Sequence, residues 1–309
     1  MKKEAVKKSC QKVERELPCF FEEYILYLKN SSSDLTRLNY LNDIKLFLKS
    51  HFNSTDIKIE DIENLKPIDV NRYLSNMEVS ASTKSRKKSA ITNMLTLLSK
   101  RGIIKENISA DIDQIKVKKK DTIKKLENGE VAKLLKVIEK DSSKEFKNRN
   151  ILMFNLFLNY GLRLSEVSQL TIDDFDLENN VFTINRKRNK TVEMPFSDET
   201  KDLYLKYINS ERKKTEYNEL FLSKNHKPLS ESGIYEIVMK FTAKATKNGK
   251  GLSPHKLRAT TATQMIAQGF SIYDVMDILD HSDVSTTQVY ADHVKENKKK
   301  VLSNFKVYL

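Results

Sequence analysis

Apolar residues recur at helical spacing over most of this chain, and the clear exception is one short stretch past its middle. From Cys19 to Lys29, residues Phe20, Phe21, Tyr24, Ile25 and Leu28 fall at i, i+1, i+4, i+5 and i+8, the stripe of an amphipathic helix. Asn30-Ser31-Ser32-Ser33 ends it, and Asp34 can cap a second helix with Leu38, Leu41, Ile44 and Leu48 on one face. Pro67 starts a third, running to about Met77. A fourth begins near Ser82 and carries Ile91, Met94, Leu95 and Leu98 at i, i+3, i+4 and i+7. About 15 residues precede the first of these helices and are assigned no element. The exception is Val181-Phe182-Thr183-Ile184, a polar turn Lys187-Arg188-Asn189-Lys190, and Thr191-Val192-Glu193-Met194 before Pro195, which reads as a hairpin. Ser197 then caps a helix from Asp198 to about Ile208. The fold expected is mainly α, with a small antiparallel β-hairpin in its C-terminal half.

The longest apolar segment, Ile151 to Leu158, is broken by Asn155 and reads as a buried helix. It falls well short of the roughly 20 residues a membrane span needs. The basic start (Lys2, Lys3, Lys7, Lys8) has no apolar core behind it, which argues against a secretion signal. The two cysteines, Cys10 and Cys19, read as reduced thiols of a cytoplasmic protein, with Cys19 packed beside Phe20 in a core.

The 55 Lys+Arg exceed the 42 Asp+Glu, a net charge of +13, and an excess of this size favours a polyanionic partner such as nucleic acid. Two places concentrate it. The first half of the fourth helix carries Thr83, Lys84, Arg86 and Lys87, hydroxyl and cationic groups suited to DNA phosphates. The segment from Lys116 to Lys125, with Lys118, Lys119 and Lys120, has six lysines against one acid, Asp121, and reads as an exposed linker able to lie along a phosphate backbone. The organisation expected is a helical DNA-binding domain over 1–115, a basic linker over 116–125 and a second domain over 126–309.

Six residues of the second half could act together on a phosphodiester: Arg163, Lys187, His255, Arg258, His281 and Tyr290. Ser253-Pro254 is a helix start, with Ser at the N-cap and Pro at the first helical position. It puts His255 and Arg258 on one face of the first turns, beside an N-terminus that favours anions. Arg163 follows Gly161, which permits a turn or close approach, and Glu166 three residues on can brace its guanidinium. Two arginines from separate elements can fork onto the non-bridging oxygens of one phosphate and neutralise the transition state without a metal ion. Tyr290 would be the nucleophile, with a phenol pKa of about 10 lowered by nearby cations and its proton taken by a histidine. Attack would give a phosphotyrosine link and free a DNA hydroxyl, so no nucleotide cofactor is required. Lys187, on the hairpin turn, is a proton donor for the leaving oxygen.

Gly-Leu-Arg-Leu-Ser-Glu (161–166), Lys-Arg-Asn-Lys (187–190), Leu-Ser-Pro-His-Lys-Leu-Arg (252–258) and His-Ser-Asp-Val-Ser-Thr-Thr-Gln-Val-Tyr (281–290) resemble the boxes of tyrosine recombinases, most of all the Xer type and simple phage or transposon integrases. The resemblance spans nearly the whole chain. It implies a two-domain clamp on duplex DNA and a 3′-phosphotyrosine intermediate. Arg163 and Arg258 would hold the scissile phosphate, His281 would hydrogen-bond to it, and His255 would assist the nucleophile Tyr290. Lys187, the first lysine of the hairpin box, would be the general acid toward the 5′ oxygen. It further implies strand exchange through a Holliday junction in a homotetramer on an inverted-repeat site. The tail beyond Tyr290 would dock on a neighbouring subunit, and a partner recombinase or directionality factor would accompany it. Dimer resolution, inversion and integration or excision of a mobile element all fit. Alternatives are a DNA-binding protein without catalysis, a type IB topoisomerase or telomere resolvase, and a ribonuclease or phosphatase using His and Arg.

Two positions depart from the family's pattern. Ala259 stands where a histidine is usual, and Asp280 where a glycine usually ends a helix. A carboxylate at 280 is expected to favour protonated His281, and Asp280→Gly is expected to retain cleavage.

Overall fold

The computed structural model describes residues 2–54, 56–117, 125–186, 190–280 and 287. The chain divides into two compact units, Met1–Lys119 and Lys120–Leu309. The expectation of a mainly helical chain with one small antiparallel sheet is met. Among the described residues no helix is long and apolar enough to cross a membrane.

The first unit is built from α1 (Lys2–Glu14), a 3₁₀ turn (Cys19–Phe21), α2 (Glu22–Ser31), α3 (Asp34–Phe52), α4 (Ile59–Glu63), α5 (Pro67–Ser75) and α6 (Ala81–Lys100). Helix α1 corrects the assignment of no element before Cys19. Its inward positions are Val6, Cys10 and Val13, at i, i+4 and i+7, a stripe diluted by the many lysines around it. It packs on α3, where the Cys10 thiol donates to Asp34 O at 3.3 Å and Glu14 pairs with Arg37 at 3.4 Å. The two cysteines fall opposite to expectation for Cys19, which is exposed, while Cys10 is buried. After Pro18 the chain turns through the 3₁₀ segment, and that turn presents Phe21 rather than Cys19 to the core. Ser33 rather than Asp34 caps α3, accepting from Thr36 N at 3.2 Å. The core collects Phe21, Tyr24, Leu41, Ile44, Phe47, Ile91, Met94 and Leu98 from the 3₁₀ turn, α2, α3 and α6.

The basic half of α6 is less free than its sequence suggests. Lys87 precedes Ile91, Met94 and Leu98 by four, seven and eleven residues, so it lies on the buried stripe and is 6% exposed. Its ammonium donates to Asp43 Oδ1 of α3 at 2.8 Å, and Arg86 pairs with the other oxygen of the same buried carboxylate. Lys84 reaches Ser75 O at 3.2 Å. Of the four residues assigned to DNA, Lys87 therefore faces inward, whereas Arg86 remains exposed. Asp43→Ala should strand the Lys87 ammonium and lower unfolding stability by about 3–5 kcal/mol, the range for one partner lost from a buried pair. Urea denaturation would measure this. Asp43→Leu with Lys87→Met should recover most of it, because an apolar pair leaves no buried charge.

The second unit contains α7 (Asn128–Asp141), α8 (Lys147–Asn159), α9 (Leu164–Gln169), β1 (Phe175–Asp176), β2 (Val181–Arg186), β3 (Lys190–Pro195), α10 (Asp198–Ser210), α11 (Glu231–Ala245), α12 (Pro254–Ala267) and α13 (Ile272–Leu279). Helix α8 forms the centre of the core with Met153, Phe154 and Phe157, as its apolar run implies. The interrupting Asn155 is satisfied by the Thr200 hydroxyl at 3.0 Å. The strands form an antiparallel β1-β2-β3 sheet in which Phe182 pairs with Met194 and Arg186 with Lys190. The two-residue pitch of β2 places Phe182, Ile184 and Arg186 on the same buried face. That alternation carries a guanidinium, not an apolar group, to the inside of the strand's end, where the catalytic-type residues assemble.

Candidate active site

Helix α8 ends at Asn159, and the chain reverses through Gly161 with φ +60°. A Cβ at Gly161 would sit 2.5 Å from Leu279 Cδ2. Glycine is needed both for the backbone angle and for the approach of α13. Two residues on, Arg163 is the N-cap of α9. Glu166 braces it as expected: Oε2 accepts from Arg163 N and Oε1 from Nη1, both at 2.7 Å.

Arg258 arrives from α12. Ser253 sits at the N-cap of that helix and Pro254 at its first position, as the sequence suggests, though Ser253 makes no side-chain cap bond. Arg258 is 3% exposed; Nη1 donates to Gly161 O at 2.7 Å and Nη2 to Leu279 O. The Thr261 hydroxyl ties α12 to the end of α8 through Leu158 O at 2.8 Å. Arg163 Nη2 also reaches Leu279 O, at 3.3 Å, and Asp280 O, at 2.7 Å. The two arginines, 95 residues apart in sequence, thus meet at one carbonyl at the end of α13.

His255, Arg163 and Arg258 line one cavity of about 460 Å³ together with Ser165, Glu231 and Tyr235. Partial enclosure by the cavity wall pushes the His255 imidazole below its ordinary value of 6.5, and Lys256, Arg258 and Arg163 push it the same way. The imidazole itself is surface-accessible, so its enclosure is incomplete, but every contribution named here favours the neutral form.

Four features of this site lie beyond the sequence reading. Arg186 donates from Nη2 to Ile278 O at 2.6 Å, a third guanidinium on the carbonyl end of α13. Burial lowers its pKa, offset in part by Glu166 and Asp280. Its signal was available in the alternation Phe182-Ile184-Arg186. Tyr235 and Glu231, on α11, had no sequence signal that connected them to Arg163. Ala259 is buried in a small cluster with Ala262, Ile266, Val275 and Leu279, so the departure from histidine supplies packing beneath α13. Asp280 is the left-handed C-cap of α13, φ 50° and ψ 51°. Its carboxylate turns toward cations: Arg163 Nη1 at 3.2 Å, Lys190 Nζ at 3.8 Å and Arg186 Nη1 at 4.0 Å. Lys187, His281 and Tyr290, like the linker lysines Lys118, Lys119 and Lys120, lie outside the described residues.

Residues 124–297 match the phage integrase family, and residues 21–102 match the N-terminal SAM-like domain of phage integrases. The tyrosine recombinase XerC of Lactobacillus leichmannii is 30% identical over 276 residues, covering 87% of this chain and 92% of that protein. The tyrosine recombinase XerD of Staphylococcus haemolyticus is 34% identical over 179 residues, 57% of this chain and 59% of its own length. Among solved structures, a post-cleavage complex of the XerH site-specific recombinase with a palindromic difH substrate superposes with a TM-score of 0.70 at 21% identity, over 92% of this chain and 83% of that one. The Tn1549 transposon integrase, in complex with transposon right end DNA, gives 0.70 at 17% identity over 96% and 99%. At these identities the two structures establish the fold alone. The chain belongs to the phage integrase family of tyrosine recombinases. Within that family its activity is that of a tyrosine-type site-specific DNA recombinase.

Proposed function

We propose that Arg163 and Arg258 grip the scissile phosphate of duplex DNA while Tyr290 attacks it. The observation that carries this reading is the convergence of both guanidinium groups on Leu279 O beside a cavity lined by His255. The bond between phosphorus and the 5′ oxygen breaks as the bond to the Tyr290 oxygen forms, leaving a 3′-phosphotyrosine. His255 takes the phenolic proton, Lys187 protonates the leaving 5′ oxygen, and His281 hydrogen-bonds to the phosphate. Because the bond energy is kept in the ester, a second DNA hydroxyl can reverse the step onto a new strand, which is strand exchange through a Holliday junction.

The helical region 1–115 and the catalytic region 126–309 would both bind the duplex, joined by the basic linker 116–125. Thr83, Lys84 and Arg86 would face phosphates from α6, and Lys118, Lys119 and Lys120 from the linker. Four copies on an inverted-repeat site, each lending the apolar tail beyond Tyr290 to a neighbour, complete the assembly, at the nucleoid of the cell. A nicked suicide duplex carrying a site selected from genomic DNA tests the reading. The protein should become joined to the DNA through a bond that survives denaturation and is removed by protease. Failure to join on any selected site would favour a binder without catalysis.

The pH dependence follows from His255. The base must be neutral to accept a proton, and its pKa lies below 6.5. Single-turnover cleavage should therefore stay level from mildly alkaline pH through neutrality and fall in acid, as the imidazole protonates. His255→Gln should lose this acid limb and slow cleavage by about 10²–10⁴-fold, the usual contribution of a general base. The same shift costs stability in acid. The unfolded chain binds the proton at a higher pH than the folded one, so stability held above 6.5 declines as pH falls through the folded value.

A further inference from the structure

We infer that the Asp280 carboxylate is an exchangeable anion that competes with DNA phosphate for Arg163. The inference rests on the phosphate-gripping role proposed above and identifies the group that sets how strongly the grip closes.

Both terminal nitrogens of Arg163 are engaged. Nη1 donates to Glu166 Oε1 and Asp280 Oδ2, and Nη2 to Asp280 O and Leu279 O. A phosphate held by a guanidinium fork needs at least one terminal nitrogen, so an acceptor must give way. Of the two carboxylates, Glu166 is the poorer candidate. Its side chain is 3% exposed, its contact is 2.7 Å, and its second oxygen is held by Arg163 N at 2.7 Å. Asp280 is 25% exposed and its contact is 3.2 Å. Among the described residues its other oxygen has looser pairs, at 3.8 Å to Lys190 and 4.0 Å to Arg186. The weaker and more accessible anion is the one an incoming phosphate displaces. A phosphate that does not displace it meets a like charge beside the same guanidinium.

The exchange also reaches the hairpin. Lys190 and Arg186 are partners across β2 and β3 and bracket Lys187 in sequence. While Asp280 holds them, one carboxylate links the phosphate-gripping arginine to the two residues that flank the proposed general acid in sequence. Phosphate entry releases that link at the moment the acid is needed.

Backbone and charge can be separated at this position. Asn and Gly both tolerate the left-handed conformation, so neither Asp280→Asn nor Asp280→Gly adds strain at φ 50°. Each removes the carboxylate, and Asn keeps its shape. Both variants should cleave the nicked duplex about two- to fivefold faster in single turnover than the unaltered protein, the scale of a partly exposed ion-pair competitor. Inorganic phosphate, titrated against each protein by its thermal midpoint, should bind the variants about two- to fivefold more tightly, because the vacated guanidinium edge takes the free anion more readily. Thermal midpoints recorded alongside confirm that each variant is folded. Cleavage by Asp280→Asn that is unchanged or slower overturns the inference, the slower case making the carboxylate a positioner of Arg163. Absence of adduct with the unaltered protein instead sinks the phosphate-gripping reading, and phosphate binding left unchanged in Asp280→Asn removes the Asp280 inference whether or not adduct forms.

Discussion

Tyr290→Phe should bind a nicked recombination duplex as tightly as the unaltered protein and form no covalent adduct with it. The expected loss is about 10⁵-fold or more, the scale on which removal of a nucleophile acts in other enzymes. Phenylalanine keeps the ring and deletes only the oxygen that would bond to phosphorus. Affinity should persist because duplex binding is dominated by many phosphate contacts, of which the phenol is at most one. The unmodified phenol has a pKa of about 10, so attack near neutrality needs both a base and a cationic surround. On the proposed reading His255 would supply the first in neutral form, and Arg163 and Arg258, with Arg186 beside them, would supply the second. Denaturing gel shift with end-labelled strands measures adduct directly, and native gel shift measures binding. Persistence of the adduct in Tyr290→Phe would move the nucleophile elsewhere in the chain.

Much of the helical framework is legible in the sequence because helices such as α3, α6 and α10 combine an apolar stripe with a serine cap. Helices α3, α5, α6, α10 and α12 begin within a residue or so of where Asp34, Pro67, Ser82, Ser197 and Ser253 indicate. Helix α1 is illegible for the opposite reason: three modest apolar residues, Val6, Cys10 and Val13, are spread among lysines, and only the packing of α3 makes them a face. Lys87 marks where residue type misleads. Its charge suggests solvent, but its spacing from Ile91 and Met94 dictates the core, and Asp43 makes the burial tolerable. At the site, Arg163, Glu166 and Arg258 are recognisable because their motifs are local. The third guanidinium, from Arg186, and the turning of Asp280 toward Arg163 depend on how the sheet meets the end of α13. Contacts between elements about 90 and 117 residues apart leave no local pattern.

Arg258→Lys should slow cleavage by about 10²–10³-fold, the cost of losing one preorganised donor group at an oxyanion. The positive charge is retained, so the prediction isolates geometry. Arginine presents a planar fork, whereas lysine presents one ammonium on a flexible stem. In the structure that fork joins two places at once, Gly161 O through Nη1 and Leu279 O through Nη2. A single ammonium cannot span both while also facing a phosphate from the cavity. With the side chain only 3% exposed, a carbonyl left without its donor costs about 1–3 kcal/mol, which should appear as a lower urea midpoint. The two effects separate by experiment. Cleavage measured well below the variant's own unfolding transition reports the phosphate grip, and DNA affinity should change little because other phosphate contacts remain. A cleavage rate within about threefold of the unaltered protein, despite the lower midpoint, would mean that Arg258 holds the turn after α8 to the end of α13 without gripping phosphate, since an oxyanion donor should cost far more.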